Sequence, residues 1–246
     1  MKFRRLVSNI ICGFIPNPKT RSKVRVVLNN PSIKSCVKFV RRWADENCGG
    51  VKKLSMEFGV GCHNLVVLLN DTHVFKFFLV PGREARAYHE LRVVTAFRDI
   101  SPIKIPQMEL MEYNDSVVRR YEFVHGKLLT DFDASYINKN RAKIAKQLAN
   151  FLYTIGCSDP AEIRDLKPKK TAKPGYLYGW FHNDIGQNFI LNPDTFDIVG
   201  FIDWECAVFD SFKVGLYIAD HHWDKFGYRG MIVDIMSAYS ELYYCK

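Results

Sequence analysis

Residues 181–205, FHNDIGQNFILNPDTFDIVGFIDWE, restrict the possible folds of this chain more than any other stretch. Two short apolar runs, Phe189-Ile190-Leu191 and Ile198-Val199-Gly200-Phe201-Ile202, flank Asn192-Pro193-Asp194. Apolar runs of this length bounded by Asn, Pro and Asp predict a β-hairpin. His182 and Asp184 lead into it, Asn188 stands four residues past Asp184, and Ile202-Asp203-Trp204-Glu205 closes it. Two acids and one amide therefore gather at one end of the hairpin.

Phosphoryl transfer uses such a set: one carboxylate orients the attacking hydroxyl, and a second carboxylate with an amide oxygen holds Mg²⁺ against a triphosphate. Asp184 fits the first role, Asn188 and Asp203 the metal pair. The plainer alternative makes both aspartates turn residues and Asn188 a capping amide. That alternative weakens when all three occur in this order.

The segment resembles the catalytic and metal-binding loops of the aminoglycoside phosphotransferase and choline kinase family, whose pattern runs roughly HGDLHPGN and then IDWE. The likeness extends over residues 54–216 and implies a protein-kinase-like fold that uses ATP and Mg²⁺. One departure stands out. The family places five steps between the Asp and the Asn, whereas Asp184 and Asn188 are separated by four.

Earlier in the chain, 54–58, 65–69 and 73–79 read as a three-stranded meander with a turn at Asn70-Asp71. Gly59 and Gly61, in Gly59-Val60-Gly61-Cys62-His63-Asn64, allow close backbone approach to phosphate, although a lone Gly-x-Gly is a weak signal. Lys76 lies inside the apolar strand Val74-Phe75-Lys76-Phe77-Phe78. A buried ammonium there needs an acid, and an edge-strand position would expose it. The helix over 83–97 offers Glu84 and Glu90. The resemblance implies that Lys76 contacts the α- and β-phosphates and pairs with the glutamate of Arg83-Glu84-Ala85, which selects Glu84 and keeps Glu90 in reserve. It also implies a hinge at 121–126, where the backbones of Glu122 and Val124 meet adenine. On the residues alone, Gly126 is equally a turn after a strand.

Residues 134–156 carry apolar side chains at helical intervals and stop at Gly156. The lysine-rich stretch 159–175 reads as an exposed loop. The resemblance makes His182 a support for the catalytic loop and Trp204 a packing residue. It would put a further bracing acid at the position of Gly215, where there is none. Asp220, His221 and His222 do not make a metal site, because adjacent helical residues do not share a face.

Net charge is +9, and residues 1–46 hold eleven Lys/Arg against Asp45 and Glu46, a surplus that equals the whole. The basic character belongs to a leader, with balanced charge beyond it. Within 3–15, Phe3, Leu6, Val7, Ile10, Ile11 and Phe14 keep helical spacing, but the run falls far short of the roughly 20 residues that span a bilayer. Two readings stand: a basic amphipathic helix on an anionic membrane surface, or a helix docked on the body. Nucleic acid ranks last. Ser32 is placed to cap a second amphipathic helix bearing Ile33, Cys36, Val37, Val40 and Trp43. Seven cysteines without a CxxC pair indicate neither a zinc site nor a disulfide framework, and suit a reducing cytoplasm.

These readings combine into an α+β, two-lobed protein-kinase-like fold. A basic leader over 1–47 precedes a small antiparallel-sheet N-lobe (48–125) and a mainly helical, shortened C-lobe (126–246). The function they imply is ATP- and Mg²⁺-dependent transfer of the γ-phosphoryl group to a hydroxyl of a small molecule or sugar, with an envelope glycan or lipid-linked sugar as one class. A cytoplasmic location, peripheral on the inner membrane face, accompanies it. The competing reading is a pseudokinase serving as a membrane-associated binding module, motivated by the short loop, the missing acid at Gly215 and the small C-lobe.

Overall fold

Apolar residues at every second position make one face of a strand a core face, and here that alternation builds a sheet. The computed structural model describes residues 32–58, 64–168, 178–186, 188–211 and 230–244, with Phe14, Pro16, Val24, Trp223, Gly227 and Tyr228. The chain divides into two compact units. One takes in the chain up to Glu84 together with Glu109–Phe123; the other takes in Ala85–Met108 and the chain from Val124.

In the first unit, β1 (Leu54–Phe58), β2 (Asn64–Leu69), β3 (His73–Phe78), β4 (Met108–Tyr113, apart from its first residue) and β5 (Ser116–Glu122) form a sheet in the order β1-β2-β3-β5-β4. The first three strands pair antiparallel as the sequence predicts. Asn70 and Asp71 both take positive φ, at 54° and 54°, between β2 and β3. Two consecutive left-handed residues suit the right-handed twist of the flanking strands.

The side chains of Leu65, Val67, Leu69, Phe75, Phe77 and Val118 share one core with Ile33, Cys36, Val40 and Ala44 of helix α1 (Ser32–Asn47). The sequence reading put this helix in a leader outside the N-lobe. Instead its apolar face covers the sheet, and Phe39 and Trp43 add edge-on ring contacts at 6.5 and 5.1 Å from Phe75. A sheet with one bare apolar face has to bury it against another element, which is why the helix belongs to the fold.

The opposite face of the sheet carries Lys76. β3 is a central strand and Lys76 is buried, so the edge-strand alternative does not hold. Its cross-strand partner on β5 is Arg119, also buried. Arg119 donates to Asn64 Oδ1 at 3.0 Å and lies 4.1 Å over the Phe78 ring.

The second unit holds α2 (Glu84–Phe97) apart from its first residue, α3 (Ala134–Lys139), α4 (Arg141–Gly156) and α5 (Met231–Tyr244). The single helix expected over 134–156 is two. Asn140 leaves the helical region at φ −103°, ψ 9°, and its side-chain amide donates back to the Tyr136 carbonyl at 2.9 Å. Asn competes with the backbone in this way, and so ends a helix that the apolar spacing alone would continue. α4 packs on α5, with Arg141 Nε donating to Asp234 Oδ2 at 2.5 Å and Tyr153 meeting Tyr239 at 5.7 Å. Residues 161–166 of the expected loop form a 3-10 helix, clamped by Arg92 onto Asp165.

The strands of this unit are short. β8 (Phe189–Leu191) and β9 (Ile198–Phe201) form the predicted hairpin, extended by β6 (Lys127–Leu128). β7 (Tyr178–Phe181) pairs with β10 (Val208–Ser211). Under them Phe151 of α4 stacks on Phe201 with centroids 4.0 Å apart and planes 7° from parallel. Aromatic pairs of this kind add about 0.5–1.5 kcal/mol beyond area burial.

Candidate active site

β7 ends at Phe181, and the chain turns directly into His182-Asn183-Asp184. His182 is fully buried against Trp204, with ring centroids 4.8 Å apart, and its Nε2–H donates to the Ile202 carbonyl at 2.8 Å. Ile202 N–H in turn donates to the Asn188 carbonyl at 2.9 Å. Ile202 is thus held from both sides, which ties the loop around Asp184 to the strand end that carries Asp203.

Asn183 takes a left-handed conformation, φ 61°. Most side chains pay about 1–2 kcal/mol there, and Asn and Gly are the exceptions. Asn183 therefore takes this turn without needing a glycine.

The four-step spacing from Asp184 to Asn188 closes on itself. Asn188 Nδ2 donates to the Asp184 carbonyl at 2.9 Å and to Asp184 Oδ2 at 2.8 Å. With both amide hydrogens engaged by Asp184, Asn188 presents its Oδ1 as a remaining acceptor. Inside the loop the Gly186 carbonyl accepts from the indole N–H of Trp223 at 2.9 Å, a support that no sequence pattern pointed to.

Asp203 is also left-handed, at φ 63°, ψ 61°. Such a conformation at a non-glycine residue marks a site worth functional attention. Its carboxylate belongs to a cluster with Glu90 and Glu205, whose ligand atoms all lie within 4.8 Å of one another. Glu90, on α2, has no exposed surface and accepts from Trp204 N–H through Oε1 at 3.1 Å. Glu205 lies 3.7 Å from Arg86. The neighbouring Cys206 records the field of this cluster: burial pushes its thiol pKa up, and the charges of Glu205, Asp184 and Asp203 push it further.

Carboxylate and amide oxygens are the ligands a hard divalent cation takes. The three carboxylates of Glu90, Asp203 and Glu205 are a donor set of that kind.

Of the other residues singled out in the sequence, Glu84 opens α2, where its carboxylate accepts from Ser116 Oγ at 2.8 Å. Its pKa is lowered by its own helix-terminal N–H and by Ser116. Glu90, held in reserve as the partner of Lys76, has the more buried carboxylate. Glu122 ends β5, opposite His73. Val124 packs its side chain where a Cβ on Gly200 would fall, 2.7 Å from Cγ1. Gly59 and Gly61 lie outside the described residues, as do Gly215, Asp220, His221, His222 and the apolar positions of the leader before Phe14.

No protein-family model matches the sequence, and no curated protein does. Solved structures do match. The chain is similar to aminoglycoside 2′-phosphotransferase-IIIa in its GDP complex (TM-score 0.69, 15% identity, 83% of this chain and 82% of that one). A second is the streptomycin–ATP ternary complex of APH(2″)-IIa (TM-score 0.58, 11% identity, 81% and 85%). A third is macrolide 2′-phosphotransferase MphH from Brachybacterium faecium (TM-score 0.58, 12% identity, 82% and 82%). At these identities the likeness is one of fold, and the chain has the two-part α+β protein-kinase-like fold of these phosphotransferases.

Proposed function

We propose that this protein is an ATP- and Mg²⁺-dependent phosphotransferase acting on a hydroxyl of a small molecule or sugar. The observation that carries the reading is the closed loop in which Asn188 grips Asp184 while its backbone carbonyl binds Ile202, next to the Glu90–Asp203–Glu205 cluster. The solved relatives include complexes with GDP, with ATP and with an aminoglycoside, which supports nucleotide use and a small-molecule acceptor.

In this reading Asp184 orients the acceptor hydroxyl and takes its proton at a carboxylate oxygen. The hydroxyl oxygen attacks the γ-phosphorus as the bond from that phosphorus to the β–γ bridging oxygen breaks, leaving ADP. Asn188 fixes the rotamer of Asp184 through Oδ2. Asp203 and the Asn188 Oδ1 would hold the metal, with Glu90 and Glu205 beside them. Mg²⁺, when bound, supplies charge neutralisation at the triphosphate. Lys76 serves the α- and β-phosphates, with Glu84 as its proposed acid and Gly59 and Gly61 as the covering loop. Arg119, buried opposite Lys76, adds a second cation to that face of the sheet. The backbones of Glu122 and Val124 are the proposed adenine contacts.

Asp203→Asn tests the metal role. Calorimetry on the wild type should show ATP binding that requires Mg²⁺, and the variant should lose that requirement. ATP binding that ignores Mg²⁺ in the wild type would exclude the metal site, and absence of ATP binding under any condition would exclude the kinase reading. The inactive, kinase-shaped binding module is the competitor, motivated by the short loop. Closure of that loop by Asn188 favours activity.

The leader supports a cytoplasmic protein attached peripherally to an anionic inner membrane face, and an acceptor such as an envelope glycan or lipid-linked sugar. Among the described residues no helix is long and apolar enough to cross a membrane. Deleting residues 1–30 should abolish co-sedimentation with anionic vesicles; unchanged co-sedimentation would remove the membrane proposal.

A further inference from the structure

The side of α1 turned away from the sheet exposes Lys34, Lys38, Arg41 and Arg42. Two of these, Lys38 and Arg42, line a groove of about 220 Å³ whose far lip is Glu112, Tyr113 and Asn114. The groove lies wholly within the first unit.

Between its cations and its far lip the groove is lined by the polar side chains of Ser35, Tyr113 and Asn114. Behind the lining, the Tyr113 hydroxyl meets the buried Cys36 Sγ at 3.4 Å. Burial raises the pKa of both Cys36 and Tyr113. Asn114 is locked in a left-handed turn at φ 51°. One wall is Phe39, edge-on to the Tyr113 ring at 5.3 Å.

The cations in this groove are available. Lys38 makes no ion pair among the described residues. Arg42 reaches Glu46 only at 4.0 Å, with both side chains more than 60% exposed, and an exposed pair of that kind contributes little. A guanidinium and an ammonium one helical turn apart, above hydroxyl and amide donors, present the complement of a tetrahedral dianion.

We propose that this groove binds a phosphate monoester. Lys38 and Arg42 take the phosphate oxygens, Ser35 and Asn114 add neutral hydrogen bonds, and the Phe39–Tyr113 wall receives the carbon skeleton. Glu112, the one acid in the lining, repels a bare phosphate and so selects a monoester whose far end carries a hydroxyl or amino group. A soluble sugar or polyol phosphate and the headgroup of a phospholipid share that chemistry.

The test is calorimetric titration of the full chain with inorganic phosphate and with glycerol 3-phosphate, at matched ionic strength and without ATP. Saturable binding is expected, tighter for glycerol 3-phosphate. Lys38→Gln and Arg42→Gln should each weaken it about tenfold, the effect of losing one charge-assisted hydrogen bond. Arg41→Gln, on the same helix but outside the groove, should leave it unchanged. No saturable binding, equal affinity in the groove variants, or an equal loss in Arg41→Gln would overturn the proposal. Vesicles of phosphatidylcholine with and without phosphatidic acid separate the two sources. Retention by phosphatidic acid that Lys38→Gln weakens and glycerol 3-phosphate competes against assigns a lipid headgroup, whereas retention that neither changes belongs to the leader and excludes the headgroup from the groove. Soluble binding with no difference between the vesicles assigns a soluble ester. Neither arm involves nucleotide, so the result is independent of the phosphotransferase reading.

Discussion

Asp184→Asn is expected to lower the turnover number by about three orders of magnitude while leaving ATP·Mg²⁺ affinity within about threefold. A positioned proton acceptor typically contributes a factor of about 10²–10⁴. The substitution keeps the size of the side chain and an oxygen that can still accept from Asn188 Nδ2, now 2.8 Å from Asp184 Oδ2. The loop should therefore close as before, and the loss should fall on the chemical step. Because water can replace the acceptor, release of labelled phosphate from γ-labelled ATP provides the assay before any acceptor is known. A loss of ATP affinity as large as the loss of turnover would make Asp184 a support for the nucleotide site. An unchanged rate would remove it from the mechanism.

Gly179→Ala should destabilise the protein by about 3 kcal/mol, at the upper end of what overpacking usually costs. Gly179 lies in β7, paired with Asp210. A Cβ there would overlap the carbonyl oxygen of Gly156 and stand 2.9 Å from its Cα and carbonyl carbon. These are backbone atoms at the end of α4, so no side-chain rotation relieves the contact. Relief requires β7 to move away from α4, and β7 feeds directly into His182 and Asp184. Gly156→Ala is the control: its Cβ would find nothing nearer than the Trp180 carbonyl at 3.9 Å. Adding helix propensity there should leave stability unchanged or raise it by up to about 1 kcal/mol. Urea denaturation of the two variants measures both effects, and equal midpoints would contradict the close approach of α4 and β7.

These two cases differ in how much of each was legible beforehand. Asp184, Asn188 and Asp203 stand within twenty residues of one another, and turn residues with apolar runs around them specify a hairpin locally. Gly179 gave no such signal. Its constraint comes from Gly156, on a different element, and two separated glycines carry no period.

The sequence by itself determined the elements whose patterns are local: the period-2 strands around Lys76, the Asn70-Asp71 turn, the helix before Phe97, and the β8–β9 hairpin. Each follows from side-chain alternation or turn preference among near neighbours, which the chain carries wherever it folds. Tertiary structure alone decided the rest. It turned α1 from an expected appendage into part of the core of the five-stranded sheet, because the apolar face of the sheet had to be covered. The break at Asn140 followed from a side-chain hydrogen bond that apolar spacing does not register. Glu90 came beside Asp203 by accepting the N–H of Trp204, 114 residues away, and Trp223 was brought under Gly186. Contacts at such separations depend on how whole elements pack, and no short stretch of sequence encodes them.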